Sequence, residues 1–407
     1  MGATPLRRNR DFLLLQAGQL LSSAGSEAAT IAYPLLVLAL TGSPARAGVA
    51  GFARTLPYAV LFVPAGLAAD RFDRRRLMIA ADALRGVALV ALTVVIVAGH
   101  PPFWSILAAA LVEGVGSVVF TSASVGALRA VVPPPQLPDA VGAQTARSSI
   151  VNLIGPPLGG FLFGIARSLP FVADAFSYVA STVSLIAMRT PFQQPRAPAR
   201  AGLRRDLAEG FRYLWDQRFL RTCAFLYGLG NFTLPGVFLV VIVAGRQEGL
   251  GGGRIGLLFA LFGAFLLVGS ILSGLARRRL SMRTIIQIEL VSWLGTLAFV
   301  VWPDVYVLVV AILPQAVAMP ITDSAVVGYR VAITPDHLLG RSESVRAAIS
   351  WVLTPLGPLV AGLLLESYSP RQTIAAFTLV SVVLFVWGTV SPAIRHAPSL
   401  DELEGLT

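Results

Sequence analysis

The 407-residue sequence contains no lysine, so all 32 of its basic residues are arginines. It has three histidines and a single cysteine, Cys223, which excludes an internal disulfide and a cysteine-based metal site. No G-x-x-x-x-G-K-[ST] motif for ATP phosphates and no H-E-x-x-H spacing for zinc occurs. We therefore expect that the protein is not an enzyme and that it binds no cofactor and no metal.

Charge is also scarce, at 13% of residues, about half of what soluble domains carry. Hydrophobic residues make up 55% of the chain, and its mean hydropathy is +0.74. A net charge of +11 would suggest nucleic acid as the partner of a soluble protein. In a membrane protein, basic residues instead collect in the loops on one side. The composition therefore predicts a lipid bilayer as the solvent and no nucleic-acid partner.

A membrane-spanning helix needs about 20 mostly apolar residues. Twelve windows of the sequence meet this requirement, and they predict an all-α integral membrane protein with twelve transmembrane helices. In the first half they are roughly 12–40, 46–69, 77–99, 103–128, 141–165 and 170–188. In the second half they are roughly 222–244, 255–276, 283–302, 305–330, 342–366 and 372–394.

The arginines indicate the orientation of these spans. If the N-terminus is cytoplasmic, the five arginines of outer loops are Arg46, Arg167, Arg246, Arg254 and Arg371, and most others lie in cytoplasmic segments. The start MGATPLRRNRDFLLL has no cleavage site of small residues and predicts a cytoplasmic lead into the first span. Exclusive use of arginine is typical of GC-rich bacterial genomes. We predict a multi-pass protein of the bacterial cytoplasmic membrane with both termini in the cytoplasm.

The two halves of the chain repeat each other. PLGGFLFG at 157–164 recurs as PLGPLVAG at 355–362, and GLA at 66–68 recurs as GLA at 274–276. Between the halves lies a Pro-rich linker followed by DLAEGFRYLW, which places Leu207, Phe211 and Leu214 on one helical face. Parallel six-helix repeats are typical of secondary transporters. We predict an N-terminal bundle over 1–190, a cytoplasmic linker with an amphipathic surface helix over 191–218, and a pseudo-symmetric C-terminal bundle over 219–407.

Two local motifs strengthen this prediction. The segment after span 2 has the pattern G-x-x-x-D-R-x-x-R-R, formed by Gly66, Asp70, Arg71, Arg74 and Arg75. Span 5 has the pattern G-P-x-x-G-G, formed by Gly155, Pro156, Gly159 and Gly160. The chain thus resembles the major facilitator superfamily, whose loop motif has glycine where Asp73 stands here and whose antiporters carry the span-5 motif. In TGSP, DRFDRRR, AEGFRYL and ADAFSYVAS it is similar to the branch of enterobactin-type siderophore exporters and macrolide efflux pumps.

The resemblance implies a role for each motif. Asp70 would face the N-terminal end of span 11, which starts near Ser342, while Arg74 or Arg75 would pair with acids on nearby helix ends. Such contacts form a latch on the cytoplasmic side, whereas simple anchoring of the loop would require only the arginines. The glycines and proline of span 5 would bend the helix and pack it closely at the interface between the halves. The alternative is a kinked helix that merely packs tightly.

Carboxylates inside spans are hypotheses for proton coupling, because burying a charge in a membrane is costly. Glu27 lies in span 1 and Glu113 in span 4, and the resemblance implies that both spans line the transport cavity. Glu113 and Ala110 depart from the R-x-x-Q-G-x-G pattern that family antiporters carry in span 4. The alternatives are a solvated Glu27 near one mouth of the cavity and a Glu113 that permanently pairs with an arginine such as Arg147.

Other polar and aromatic residues have candidate roles as well. Arg54, Arg147 and Arg346 are candidates for holding an anionic substrate, although pairing with Glu113 or Glu289 is favoured because unpaired buried charge is costly. Tyr33 and Trp351 are candidates for contacts with a drug. We expect a local ion pair between Asp82 and Arg85, and hydrated positions for Asp174 and Asp323 near span ends.

Taken together, these patterns favour a secondary active transporter. We expect a monomeric, proton-coupled exporter of a drug, siderophore or similar small amphipathic molecule, working by alternating access. One alternative is uptake of a small metabolite, or a permease coupled to sodium in place of protons. A membrane regulatory protein without transport activity is the other alternative.

Overall fold

The structure, a computed structural model, describes residues 5–99, 101–192 and 203–397. Short 3-10 turns cover Leu6–Arg8, Pro134–Gln136 and Trp293–Thr296. The first helices are α1 (Arg10–Thr41), α2 (Pro44–Arg71), α3 (Arg74–Val97), α4 (Phe103–Val131), α5 (Leu137–Ile165), α6 (Leu169–Ala187), α7 (Leu203–Asp216) and α8 (Arg218–Gln247). The remaining ones are α9 (Gly252–Arg279), α10 (Met282–Ser292), α11 (Leu297–Val301), α12 (Val305–Ile333), α13 (Asp336–Trp351), α14 (Leu356–Ser367), α15 (Pro370–Val390) and α16 (Pro392–Arg395).

Within these described residues, twelve helical segments are long and apolar enough to cross a membrane. Each overlaps one of the twelve windows predicted from the sequence, so the predicted all-α membrane fold is confirmed. The segments also carry many exposed large apolar side chains, as a lipid-facing surface requires. Among them are Val87, Val97, Phe176, Ile271 and Val301.

Local sequence explains how several helices begin and end. In TGSP, Gly42 ends α1 in the left-handed conformation (φ 66°), and the Ser43 side chain accepts the N–H of Arg46 at the start of α2. Asp73 acts in the same way for α3, because its carboxylate accepts the N–H of Arg76 at 2.8 Å. The residue that replaces the second glycine of the family's loop motif is therefore a helix cap.

Two of the predicted spans are interrupted. The ninth is divided into α10, the 3-10 turn at Trp293–Thr296, and α11, while the eleventh is divided into α13 and α14. Pro355 lies in the second break, where its missing N–H prevents a continuous hydrogen-bond ladder. Helix α5, by contrast, continues through its two consecutive prolines. The PLGG and PLGP repeats thus have different local structures.

Contacts group the helices into two compact units. The first unit contains α1 to α6 and the beginning of α9 as far as Ala260. In it α1 packs against α5 and α6, α2 against α4, and α3 against α4 and α6. The second unit contains α7, α8, the part of α9 from Leu261 onwards, and α10 to α16. In it α8 packs against α13, α14 and α15, and α10 packs against α12.

Helix α7 is the amphipathic helix predicted for the linker region. It packs against α13 within the second unit, with Leu214 buried and Gly210 against the backbone of Arg341. Phe211 does not share the buried face of Leu214: it is 47% exposed and stacks on Trp215 at 5.3 Å between ring centroids. The side chain of Leu207 and the Pro-rich part of the linker lie outside the described residues.

Candidate functional site

The first unit encloses an ion pair between α2 and α4. Arg54 Nη2 lies 2.7 Å from Glu113 Oε1, and Arg54 Nε donates to the same oxygen at 3.1 Å. Glu113 is fully buried. The neighbouring Gly114 permits this approach, because a Cβ there would lie 2.2 Å from the carbonyl oxygen of Arg54. The partner of Glu113 is thus Arg54 and not Arg147.

Helix α1 completes the surroundings of the arginine. Arg54 donates from Nη1 to Thr30 Oγ1 at 2.7 Å and from Nη2 to the carbonyl oxygen of Ser26 at 2.9 Å. Its guanidinium also lies 6.0 Å from the centre of the Tyr33 ring. A buried charge is tolerated when its hydrogen bonds are satisfied. Three helices therefore cooperate to hold one cation inside the first unit.

Two polar atoms of this cluster belong to neighbouring side chains and form no hydrogen bond of ordinary geometry within the part of the chain that the structure describes. They are Glu113 Oε2 and the hydroxyl of Tyr33, and both atoms are buried. A buried acceptor without a donor is costly, and it points to a proton, a water or a bound group. Glu113 therefore combines a fixed arginine partner on one oxygen with an unsatisfied second oxygen.

Glu27 lies six positions, nearly two helical turns, before Tyr33 on α1 and differs from Glu113. It is partly exposed, and its carboxylate forms neither a hydrogen bond nor an ion pair with any described residue. Gly155 of the span-5 motif lies against it, because a Cβ at Gly155 would approach the Cβ of Glu27 to 2.5 Å. The first glycine of that motif thus lets α5 pack against α1 at the Cβ of Glu27.

The polar cluster continues towards α6. Ser26 Oγ and the Tyr178 hydroxyl are 3.0 Å apart, and this hydroxyl donates to Asp174 Oδ2 at 3.2 Å. Asp174 is fully buried, so the expectation of a hydrated position was wrong. Gly25 accounts for its burial, since a Cβ there would lie 2.4 Å from Asp174 Oδ1 and prevent α1 from approaching α6. The i, i+4 spacing of Asp174 and Tyr178 was the available sequence signal.

A second buried ion pair joins this cluster from α3. Asp82 and Arg85 pair directly, as predicted, and both are almost inaccessible. The Arg85 guanidinium lies 4.2 Å from the centre of the Tyr178 ring and 5.0 Å from that of Phe120. The expected local pair is thus part of a larger polar cluster that reaches Asp174.

The other glycines of the span-5 motif mark close helix contacts. A Cβ at Gly159 would lie 2.2 Å from the carbonyl oxygen of Ala28 on α1, and one at Gly160 would lie 2.2 Å from that of Gly252. The contact partner in each case is backbone, which cannot rotate away. The repeat has a counterpart in the second unit, where a Cβ at Gly357 would lie 2.1 Å from the carbonyl oxygen of Phe232.

The charged segment after α2 contains an internal ion pair and contacts the end of α6. Asp70 is 61% exposed in its side chain and pairs with Arg74 at 3.2 Å. Of the two arginines expected to pair with acids, Arg74 does so through Asp70, whereas Arg75 donates to the carbonyl oxygens of Met188 (2.7 Å) and Thr190 (3.0 Å) just after α6. Gly66 has open space where a Cβ would be, and Arg71 is exposed.

The end of α6 receives a second contact from α1. Asp11 is buried, and its carboxylate accepts the backbone N–H groups of Arg189 at 3.0 Å and Thr190 at 2.7 Å. The Thr190 hydroxyl donates to the same carboxylate at 2.6 Å. Together with the two hydrogen bonds from Arg75, these contacts hold the exit of α6 within the first unit.

The remaining candidates are dispersed. Arg147 Nη1 donates to Gln16 Oε1 at 2.5 Å and has no acidic partner among the described residues. Arg346 pairs with Glu343 at 2.7 Å and not with Glu289. Trp351 is 43% exposed. Asp323 is exposed and lies on α12, a membrane-spanning helix.

Twelve apolar helices with ion pairs and carboxylates at mid-helix define a multi-pass membrane transporter. Residues 17–292 match the sequence model of the Major Facilitator Superfamily. The chain belongs to this superfamily.

Similar proteins include efflux pumps. The multidrug efflux pump Tap of Mycolicibacterium fortuitum is 26% identical over 95% of this chain and 96% of its own length. Macrolide efflux protein A of Streptococcus pyogenes is 22% identical over 96% and 97%, respectively. Among solved structures, a bacterial homologue of the iron transporter ferroportin in the inward-facing state is similar at a TM-score of 0.71 and 18% identity, covering 95% of this chain and 100% of that one. This last likeness concerns the fold alone.

Proposed function

We propose that the protein exports a drug or similar small amphipathic molecule, macrolides among them, in exchange for protons. The names of its relatives, a multidrug efflux pump and a macrolide efflux protein, support the direction and the substrate class. The span-5 glycine motif and its close contacts with α1 support the antiporter assignment. The protein would work as a monomer by alternating access, with both termini in the cytoplasm.

The observation that carries proton coupling is the carboxylate pair of Glu27 and Glu113 in the first unit. Glu113 has an unsatisfied buried oxygen beside the Tyr33 hydroxyl. Glu27 forms no hydrogen bond or close ion pair with the described residues, lies within electrostatic reach of Arg54 and retains partial exposure. A carboxylate that exchanges a proton needs access and freedom from a permanent ion pair. Glu27 therefore binds and releases the transported proton, and Glu113 responds to its charge through Arg54.

The other candidate residues take supporting roles in this proposal. Asp70, with Gly66, Arg71, Arg74 and Arg75, forms the cytoplasmic latch, and Gly155, Pro156, Gly159 and Gly160 form the hinge. Tyr33 in the first unit and Trp351 in the second are substrate contacts, while Arg54, Arg147 and Arg346 supply positive charge within their own units.

Transport in proteoliposomes tests the coupling. Liposomes with an acidic interior are mixed with radiolabelled erythromycin, and accumulation is compared with that in protein-free liposomes, which corrects for trapping of a weak base. Counterflow at equal pH is measured in parallel, because it needs binding and conformational change but no net proton movement. We expect Glu27→Gln to lose accumulation driven by the pH gradient and to keep counterflow.

Control variants distinguish a loss of proton coupling from a loss of folded protein. Glu366→Gln, at the exposed end of α14, should behave as the wild type in both assays. Glu113→Gln leaves the Arg54 charge without its partner, so the double variant Arg54→Gln/Glu113→Gln is the better-balanced test of that position. Wild-type accumulation in both Glu27→Gln and the double variant would contradict the assignment.

A further inference from the structure

The second unit contains a pocket that the family motifs do not include. Its described lining comes from α8, α10, α12, α15 and the 3-10 turn after α10. The polar and aromatic members are Tyr227, Asn231, Glu289, Trp293, Gln315 and Thr322. The remaining walls are aliphatic or sulfur-containing, with Cys223 and Met319 among them. The pocket is thus an apolar chamber with one acidic group.

Glu289 is the only charged side chain among the described residues that line this pocket. It lies at the eighth position of α10, well inside a membrane-spanning segment. No described arginine pairs with it, in contrast to Glu113 in the first unit. Gln315 Nε2 donates to its carboxylate at 3.5 Å, which is a long contact, and the Thr322 side chain also lies close enough to interact with it. A carboxylate in such surroundings needs a counter-ion or a proton.

Hydrogen bonds fix some of the polar side chains around Glu289, while other polar atoms there remain unpaired and could bind a ligand. Gln315 is held by Ser292, whose hydroxyl donates to its side-chain oxygen at 2.5 Å. The Tyr227 hydroxyl is buried and lacks any hydrogen-bond partner in the described structure. Asn231 donates its amide to the carbonyl oxygen of Ser350 at 2.9 Å, while its own side-chain oxygen accepts no hydrogen bond from the described residues. The Tyr227 hydroxyl and the Asn231 side-chain oxygen are therefore available to form hydrogen bonds with a ligand in the pocket.

The walls favour an organic cation. Trp293 is buried and stands against Gly230, where a Cβ would approach its ring to 3.3 Å, so the glycine leaves room for the indole. Aromatic faces attract cations, and methionine adapts to ligands of different shape. The adjacent 3-10 turn interrupts the helix beside the carboxylate, a feature that frequently marks a functional position.

We propose that this pocket binds an amphipathic organic cation, with Glu289 as its counter-ion and Trp293 and Tyr227 as its aromatic walls. The inference deepens the proposed function, because it specifies a cationic substrate class and a binding site within the second unit. Glu27, to which proton exchange is assigned in the first unit, is a separate group.

Two probes of nearly equal size and opposite charge test the proposal. Equilibrium dialysis of the purified full-length protein measures the binding of radiolabelled tetraphenylphosphonium and of tetraphenylborate. We expect the phosphonium to bind the wild type and the borate to bind at least about tenfold more weakly. Glu289→Gln, which keeps the shape of the side chain, should weaken phosphonium binding by about tenfold or more. Glu366→Gln should bind as the wild type, and gel filtration verifies that each variant is folded.

The position of the bound cation is tested with the single cysteine. Cys223 lines the pocket and is 3% exposed, so phosphonium should slow its alkylation by N-ethylmaleimide in the wild type and not in Glu289→Gln. Three results would each overturn the proposal: no phosphonium binding to the wild type, equal binding of the two probes, or unchanged phosphonium affinity in Glu289→Gln. Loss of pH-driven flux with intact phosphonium binding would instead count against proton coupling alone.

Discussion

The contact between Gly159 and α1 leads to a prediction whose magnitude follows from the geometry. In Gly159→Ala the new Cβ would lie 2.2 Å from the carbonyl oxygen of Ala28, whereas ordinary contact begins at 3.4 Å. One of the two backbones must therefore move by about 1.2 Å. Overpacking of this kind costs about 1–3 kcal/mol, and the higher helix propensity of alanine offsets up to about 1 kcal/mol of it.

The same helix provides a matched control. Gly142 lies on α5 with no atom within 4 Å of a Cβ at that position, so Gly142→Ala should be neutral or slightly stabilising. For a unit of about 200 residues, 1 kcal/mol corresponds to about 2–4 °C in midpoint temperature. Both variants gain the same helix propensity, so the difference between them is the overpacking cost, and we expect Gly159→Ala to lose its main peak in size-exclusion chromatography roughly 2–12 °C earlier on heating than Gly142→Ala.

Erythromycin flux provides the second readout for this pair. If Gly159 sets the approach of α5 to α1 that transport requires, Gly159→Ala should also reduce flux at a temperature where the protein remains folded. Equal midpoint temperatures for the two variants would refute the argument from close contact. A lower midpoint with normal flux would assign the glycine to packing and remove it from the hinge.

Two further predictions concern charged residues of the first unit. Asp82→Asn leaves the buried Arg85 without its counter-ion, so we expect the free energy of unfolding to fall by about 3–5 kcal/mol, which chemical denaturation in detergent would measure; a loss below about 1 kcal/mol would contradict a tightly coupled pair. Asp70→Asn removes an exposed partner of Arg74, so stability should change by less than about 1 kcal/mol. Erythromycin flux should nevertheless decrease while membrane insertion persists, and wild-type flux would refute the latch.

Sequence reasoning succeeded where a property depends on neighbours along the chain. The Asp82–Arg85 pair and the α7 helix follow from helical spacing. The boundary between α1 and α2 follows from the conformational preferences of glycine, serine and proline in TGSP.

Sequence reasoning was wrong, or made no prediction, where segments distant along the chain come into contact. The partner of Glu113 is 59 positions away on another helix, and nothing local distinguishes Arg54 from Arg147 as that partner. Asp174 is near the start of its span, which suggested hydration, yet α1 covers it because Gly25 permits the approach. The pocket around Glu289 is assembled from four helices and a turn, so no single motif contains it.

By itself, the sequence determined the class of protein, the number of spans and the superfamily. A bilayer imposes the same length and apolarity on every spanning helix, and these are local quantities that can be counted along the chain. Only the tertiary structure decided which charges are neutralised and which remain available. Arg54 satisfies one oxygen of Glu113, while Glu27 and Glu289 form no close ion pair with the described residues. That difference arises from helix packing, in which glycines at Gly25, Gly114 and Gly155 allow specific pairs of helices to meet.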